Sequence, residues 1–171
     1  MSKAATESVQ ESHGLLQIQD DKYLTFTLAG EEYGIGILKV REIIGIMNIT
    51  PMPHTPPYVK GIINLRGRII PVVDLRQKFG LEKAAYSNRT CIIVVEVSSS
   101  SGPLQIGAAV DCVSEVLPIQ AAHIDPPPSF GNGFNTRSIQ GIGKTKGGVK
   151  ILLDIDQVLV EEGLLNMAAA A

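Results

Sequence analysis

Tryptophan is absent from this 171-residue chain, and aromatic residues make up only 5% of it. Basic charge is not in excess either: 15 Lys and Arg stand against 17 Asp and Glu, a net charge of −2. A nucleic-acid surface needs a basic face and stacking rings, so that class is excluded. No apolar run approaches the roughly 18–20 residues that a bilayer-crossing helix requires. The opening stretch MSKAATESVQESHG is polar and lacks the apolar core of a signal peptide. The expectation is a cytoplasmic protein that does not insert into a membrane.

Cysteine is scarce. Cys91 and Cys112 form no CxxC and have no histidine at ligand spacing, so they read as two small core residues in a reducing compartment. The three histidines, His13, His54 and His123, are scattered through polar or proline-rich stretches. None sits at metal spacing or beside a nucleophile and an acid. There is no GxSxG and no HExxH. Gly141-Ile142-Gly143-Lys144-Thr145 looks like the end of a phosphate-binding loop, but Ser138 stands where that motif needs its first glycine. Asp74, Asp154 and Asp156 stand at helix starts, where capping explains them. No enzyme reading has a constellation behind it, and no catalytic residue, cofactor or metal ligand is assigned.

What is present is β-branched and repetitive. Apolar residues are 44% and charged residues 19%, ordinary for a globular chain. Gly61–Leu75, GIINLRGRIIPVVDL, reads as strand, tight turn, strand, with Arg66-Gly67-Arg68 at the turn. Gly141–Ile155, GIGKTKGGVKILLDI, echoes it at a fixed displacement without gaps. Upstream, Val40-Arg41-Glu42-Ile43-Ile44 is echoed by Val113-Ser114-Glu115-Val116-Leu117, and each copy runs into a proline-rich loop. Two echoes in one order indicate a single small β unit used twice.

Residues 1–20 read as a flexible arm whose Leu15, Leu16 and Ile18 offer a weak docking cluster. Residues 21–80 form the first unit. A half-buried strand from Tyr23 to Leu28 leads it, and Leu38–Ile46 reads as a kinked strand. Asp74 caps a short helix that Gly80 stops. Leu81–Asn88 is the link. Residues 88–153 form the second unit, and residues 154–171 a C-terminal helix to about Glu162 and a flexible tail. Units of about 60 residues bury too little surface to stand alone, so the two are expected to close into barrels and pack through an apolar seam.

Three stretches then become recognisable: Tyr33–Ile43 (YGIGILKVREI), Val59–Gly67 (VKGIINLRG) and Pro71–Leu75 (PVVDL). Together they closely resemble the CheW family, the coupling proteins of bacterial chemotaxis. Val110–Val113 and Gly141–Gly143 with Ile151–Ile155 continue the likeness, which covers roughly residues 20–162. The resemblance implies a mostly β fold of two packed five-stranded barrels, Src-homology-3-like, with short helices. It implies a non-catalytic scaffold that joins the cytoplasmic tip of a methyl-accepting chemoreceptor to the regulatory domain of the histidine kinase CheA. It implies that Leu24, Ile37, Val40, Ile43 and Val113 line a groove for the receptor helix. Gly61, Arg66 and Gly67 then lie in or near the kinase-facing barrel end. Glu42 is the expected partner of Arg66, a pair that would brace the turn. The expectation is a free-standing adaptor rather than a fusion to a receiver domain. Two alternatives remain: the equivalent adaptor of a pilus or other array, and a small-ligand-binding β-barrel.

Overall fold

The computed structural model describes residues 21–128 and 137–159. The arm 1–20, part of the second proline-rich loop and everything beyond residue 159 lie outside the described residues. The chain begins with a hairpin, β1 (Lys22–Leu28) and β2 (Glu31–Gly36). A 3-10 turn, Ile37–Lys39, leads into β3 (Val40–Gly45). A second hairpin, β4 (Val59–Leu65) and β5 (Arg68–Asp74), ends in the short helix α1 (Leu75–Lys78). After the link come β6 (Cys91–Ser99), β7 (Gly102–Val110) and β8 (Cys112–Pro118). The two-residue β9 (Ile124–Asp125) precedes β10 (Ile139–Thr145), β11 (Gly148–Leu153) and α2 (Ile155–Val158).

These strands form two sheets, in the orders β8-β1-β2-β11-β10-β9 and β3-β6-β7-β5-β4. The fold is mostly β, as the sequence indicates, but two points differ from the expectation. First, among the described residues the hydrogen bonding closes neither sheet into a full barrel: β8 and β9 are edges of one, β3 and β4 of the other. Second, neither sheet follows the division into 21–80 and 88–153. The β1–β2 hairpin joins the strands of the second repeat, and the β6–β7 hairpin joins those of the first.

The repeat itself is present in register detail. In the β4–β5 hairpin Val59 faces Val73, Gly61 faces Val72 and Leu65 faces Arg68. In the β10–β11 hairpin Ile139 faces Leu153, Gly141 faces Leu152 and Thr145 faces Gly148. Every pair is displaced by the same interval, and both ladders carry an irregularity at the same place. Each hairpin closes with one more matched bond: Asp74 N–H to Tyr58 O at 2.7 Å and Asp154 N–H to Ser138 O at 2.8 Å. Both aspartates then cap the helix that follows.

The exchange of hairpins happens at two short crossings. Ile37–Lys39 carries the chain from β2 into β3, and Asp111 alone carries it from β7 into β8. Each crossing is pinned to the first turn of a short helix. Lys39 pairs with Asp156 of α2 at 2.7 Å, and Asp111 pairs with Arg76 of α1 at 2.5 Å. The polarity is reversed between the two copies, but the place is the same.

The exchange also explains why the strands are apolar on both faces. Leu24, Phe26, Leu28 and Ile35 of one sheet meet Val73, Ile93, Val95, Ile106 and Val110 of the other in a central core. Ile63, Ile70, Val72, Ile92, Val94 and Ala109 fill the opposite face of the second sheet. Tyr23, Ile119 and Leu152 do the same for the first. Alternate residues of β6 therefore serve two different cores, which is why Ile92–Val95 is continuously hydrophobic.

Candidate functional site

The central core is open to solvent along the edge strands. Val116 on β8 sits opposite Leu24, and Ile43 on β3 sits opposite Ile93. Leu24 and Ile93 both belong to the central core. Directly opposed residues share a sheet face, so Val116 and Ile43 extend that core outward. Val116 is 48% exposed and Ile43 43%. Val40 and Val113, three residues earlier on the same edges, are half-buried against the core.

A depression of about 420 Å³ lies here, lined by Lys22, Ile37, Leu38, Val40, Arg41 and Val116. Leu38 is 47% exposed at its rim. A second depression, of about 430 Å³, shares Ile37 and Leu38 with it and is lined further by Lys39, Gln140 and Asp156. Arg41 is held in place by an ion pair with Glu96. That hydrogen bond and the neighbouring charge lower the Glu96 carboxyl below its ordinary range.

Of the five residues expected to line a groove, the structure brings Ile37 and Val40 together in this depression. Ile43 and Val113 flank it along the edges. Leu24 requires correction. It is 1% exposed, because β1 is an inner strand covered on both faces, and it offers no surface to a partner. Leu38 and Val116 line the depression without being among the expected groove residues. Val116 was within reach, since the displacement that carries Val40 onto Val113 carries Ile43 onto Val116. Leu38 carried no such signal.

The arginine turn is a second, separate place. Arg66 and Gly67 both have positive φ, 53° and 86°, the pattern of a type I′ turn. Gly67 N–H donates to Asn64 Oδ1 at 2.8 Å, which fixes the turn from inside. Arg66 is ion-paired with Glu42 of β3, while most of its side chain remains exposed. The turn is thereby tied to the opposite edge of its own sheet.

Gly61 is not at that turn. It is buried near the start of β4, five residues away, roughly 17 Å along an extended strand. A Cβ there would sit 2.0 Å from Thr50 O, and φ is +139°. Thr50 and Ile62 exchange two backbone bonds of 2.9 Å across this contact. The glycine lets the proline-rich loop lie on β4. Its role is in the backbone, and the structure does not bring it together with Arg66 and Gly67.

Among the described residues no group of three or more His, Cys, Asp or Glu could hold a metal ion, and no helix is long and apolar enough to cross a membrane. Cys91 and Cys112 are free and half-buried.

A paired-sheet scaffold with an apolar seam and a braced polar turn defines a protein-interaction module. A model of the CheW-like domain matches residues 22–163, and the chain belongs to that family. It is 41% identical over 141 residues to the chemotaxis protein CheW of Klebsiella aerogenes, covering 82% of each chain. It is 35% identical over 139 residues to the chemotaxis protein CheW of Rhizobium meliloti, covering 81% of this chain and 87% of that one. The crystal structure of the scaffolding protein TtCheW from Thermoanaerobacter tengcongensis aligns with a TM-score of 0.74 at 38% identity, over 84% of this chain and 95% of that one. The family is one of chemotaxis scaffolds and not of enzymes.

Proposed function

We propose that this protein couples the cytoplasmic tips of chemoreceptors to the regulatory domain of the histidine kinase CheA, inside signalling arrays to which it is recruited from the cytoplasm. The observation that carries the reading is the apolar seam. Ile37, Leu38, Val40 and Val116 form a depression at the open edge of a core, flanked by Ile43 and Val113. Exposed apolar surface of that shape suits one face of an amphipathic helix. The Arg66–Gly67 turn, stiffened by Glu42 and Asn64, supplies the kinase-facing contact.

Arg66→Ala tests the second contact. The Arg66–Glu42 pair is largely exposed, and such pairs contribute about 0–1 kcal/mol to folding. The variant should therefore melt close to the parent. It should bind a CheA regulatory domain at least about fivefold more weakly and bind a receptor-tip fragment normally. Parental kinase activation and CheA affinity in that variant would remove the turn from the interface.

A further inference from the structure

The lining of the seam depression is apolar but for two residues, and both carry the same charge. Lys22 and Arg41 stand there beside Ile37, Leu38, Val40 and Val116. Arg41 owes its place to a β-bulge. In β3 Val40 pairs with Val95 and Glu42 with Val94, so Arg41 is the extra residue. Successive residues of a regular strand point to opposite faces. The bulge lets Val40 and Arg41 line one depression. β8 has its own bulge, between Val113 and Glu115, and the extra residue there is the uncharged Ser114.

Glu96 holds Arg41 in place without using it up. One guanidinium nitrogen, Nη2, meets the carboxylate, and 44% of the Arg41 side chain remains exposed. A guanidinium has five N–H donors in a fixed fork, so donors are left to offer. Of the cations at or beside the depression, Arg41 is paired with Glu96 and Lys39 with Asp156. Lys22 has no carboxylate partner among the described residues.

We infer that the helix which docks in the seam carries a carboxylate at the border of its apolar stripe, and that Lys22 and Arg41 receive it. The inference rests on the reading of the seam as the receptor site and names a feature of the partner which that reading leaves open. A carboxylate there meets an ammonium and the spare N–H groups of an already oriented guanidinium, so little side-chain freedom is lost on docking. A lysine or arginine at the same place is repelled, and its charge is stripped of water against Leu38 and Val116 with nothing to answer it. Apolar contact supplies most of the affinity; the charges choose the partner and set its register.

Lys22→Gln is the clean probe, because no described residue is bonded to that ammonium. It should melt like the parent and bind a receptor-tip fragment about three- to tenfold more weakly at low salt, with a flatter fall of affinity as salt is added. Arg41→Gln should act in the same direction. Each Asp and Glu of the fragment is then changed to Lys in turn. One such change should weaken binding to the parent and be rescued, at least in part, by Lys22→Glu. Parental affinity and salt slope in Lys22→Gln and Arg41→Gln would overturn the inference, and so would a fragment series in which Lys22→Glu rescues nothing. Leu38→Ser tests the underlying reading separately, since it removes apolar surface and leaves every charge in place. If Leu38→Ser loses fragment affinity while the charge variants keep it, the seam is the receptor site and the charge selection is wrong. If Leu38→Ser and the charge variants all bind like the parent, the receptor reading fails and takes the inference with it.

Discussion

Tyr86 stands in the link between the repeats, partly exposed, and donates its hydroxyl to Asp74 Oδ2 at 3.3 Å. Asp74 is itself buried and already accepts from Arg76 N–H and Gln77 N–H as the cap of α1. Burial, the Asp74 charge and that hydrogen bond all raise the Tyr86 phenol well above its ordinary value. The consequence for stability has a definite sign. In the unfolded chain a tyrosine loses its proton near pH 10, whereas folded Tyr86 keeps it. The folded state then binds more protons, so stability falls as pH rises from about 10. Tyr86→Phe should flatten that fall. Tyr23 and Tyr33 are also raised by burial, but they are common to both chains and cancel in the comparison. Urea midpoints between pH 8 and 11 measure the two slopes, and identical slopes would show that Tyr86 does not contribute.

Single residues were legible in the sequence where their chemistry constrains them strongly. The pairing of Arg66 with Glu42, expected from the family resemblance and from opposite charge within one repeat, is present as an ion pair. Leu24 was not legible. Its alternation with Thr25 puts Leu24 on the same face as Phe26, but alternation cannot reveal whether that face is open to a partner or closed by the other sheet. Here it is closed, in the central core against residues such as Ile93 and Ile106.

Among the elements, the two glycines at the starts of β4 and β10 occupy matched positions but carry unequal constraints. At Gly61 an added Cβ meets backbone, Thr50 O at 2.0 Å and Pro51 Cα at 2.9 Å, with φ at +139°. At Gly141 the nearest atom is a side-chain methyl, Ile124 Cγ2 at 2.5 Å, with Asp125 O at 3.0 Å behind it. A side chain can turn aside; a paired backbone cannot. Gly61→Ala should cost about 3–5 kcal/mol, with strain and lost pairing both contributing. Gly141→Ala should cost about 1–3 kcal/mol, in the range of overpacking. Chemical denaturation of the two variants ranks them, and equal midpoints would contradict the difference in constraint. The hairpins and their repeat were readable, because turn residues and β-branched arms are local signals. The exchange of hairpins between sheets was not. Ile37–Lys39 and Asp111 are short connections, and a short connection ordinarily places successive strands side by side. The ion pairs that hold each crossing to a helix, Lys39–Asp156 and Arg76–Asp111, join residues far apart in sequence.

At the scale of the whole molecule, the exchange ties the two sheets into one folding unit and leaves two surfaces on different parts of it. The seam depression involves edges of both sheets, Val40 from one and Val116 from the other. The arginine turn belongs to one sheet alone. One surface can therefore be damaged without the other, provided the probe residue is not also part of the core. Val40 is a compromised probe, since it is half-buried and packs against the central core. A glutamate there has to be partly desolvated in the free protein and should cost about 1–3 kcal/mol of folding as well as binding. Val116 is the cleaner one. At 48% exposure a glutamate at that position stays hydrated until a helix covers it, and surface changes of that kind alter stability by about 0.5 kcal/mol or less. Val116→Glu should melt like the parent, bind a CheA regulatory domain like the parent, and lose at least about tenfold in affinity for a receptor-tip fragment. The cost then appears only on docking, when the charge is stripped of water against Leu38 and Ile37. Parallel titrations and one melting curve are sufficient. If Val116→Glu binds the receptor fragment as the parent does, the seam is not the receptor site; if it loses both partners and its stability together, Val116 belongs to the core and not to a surface.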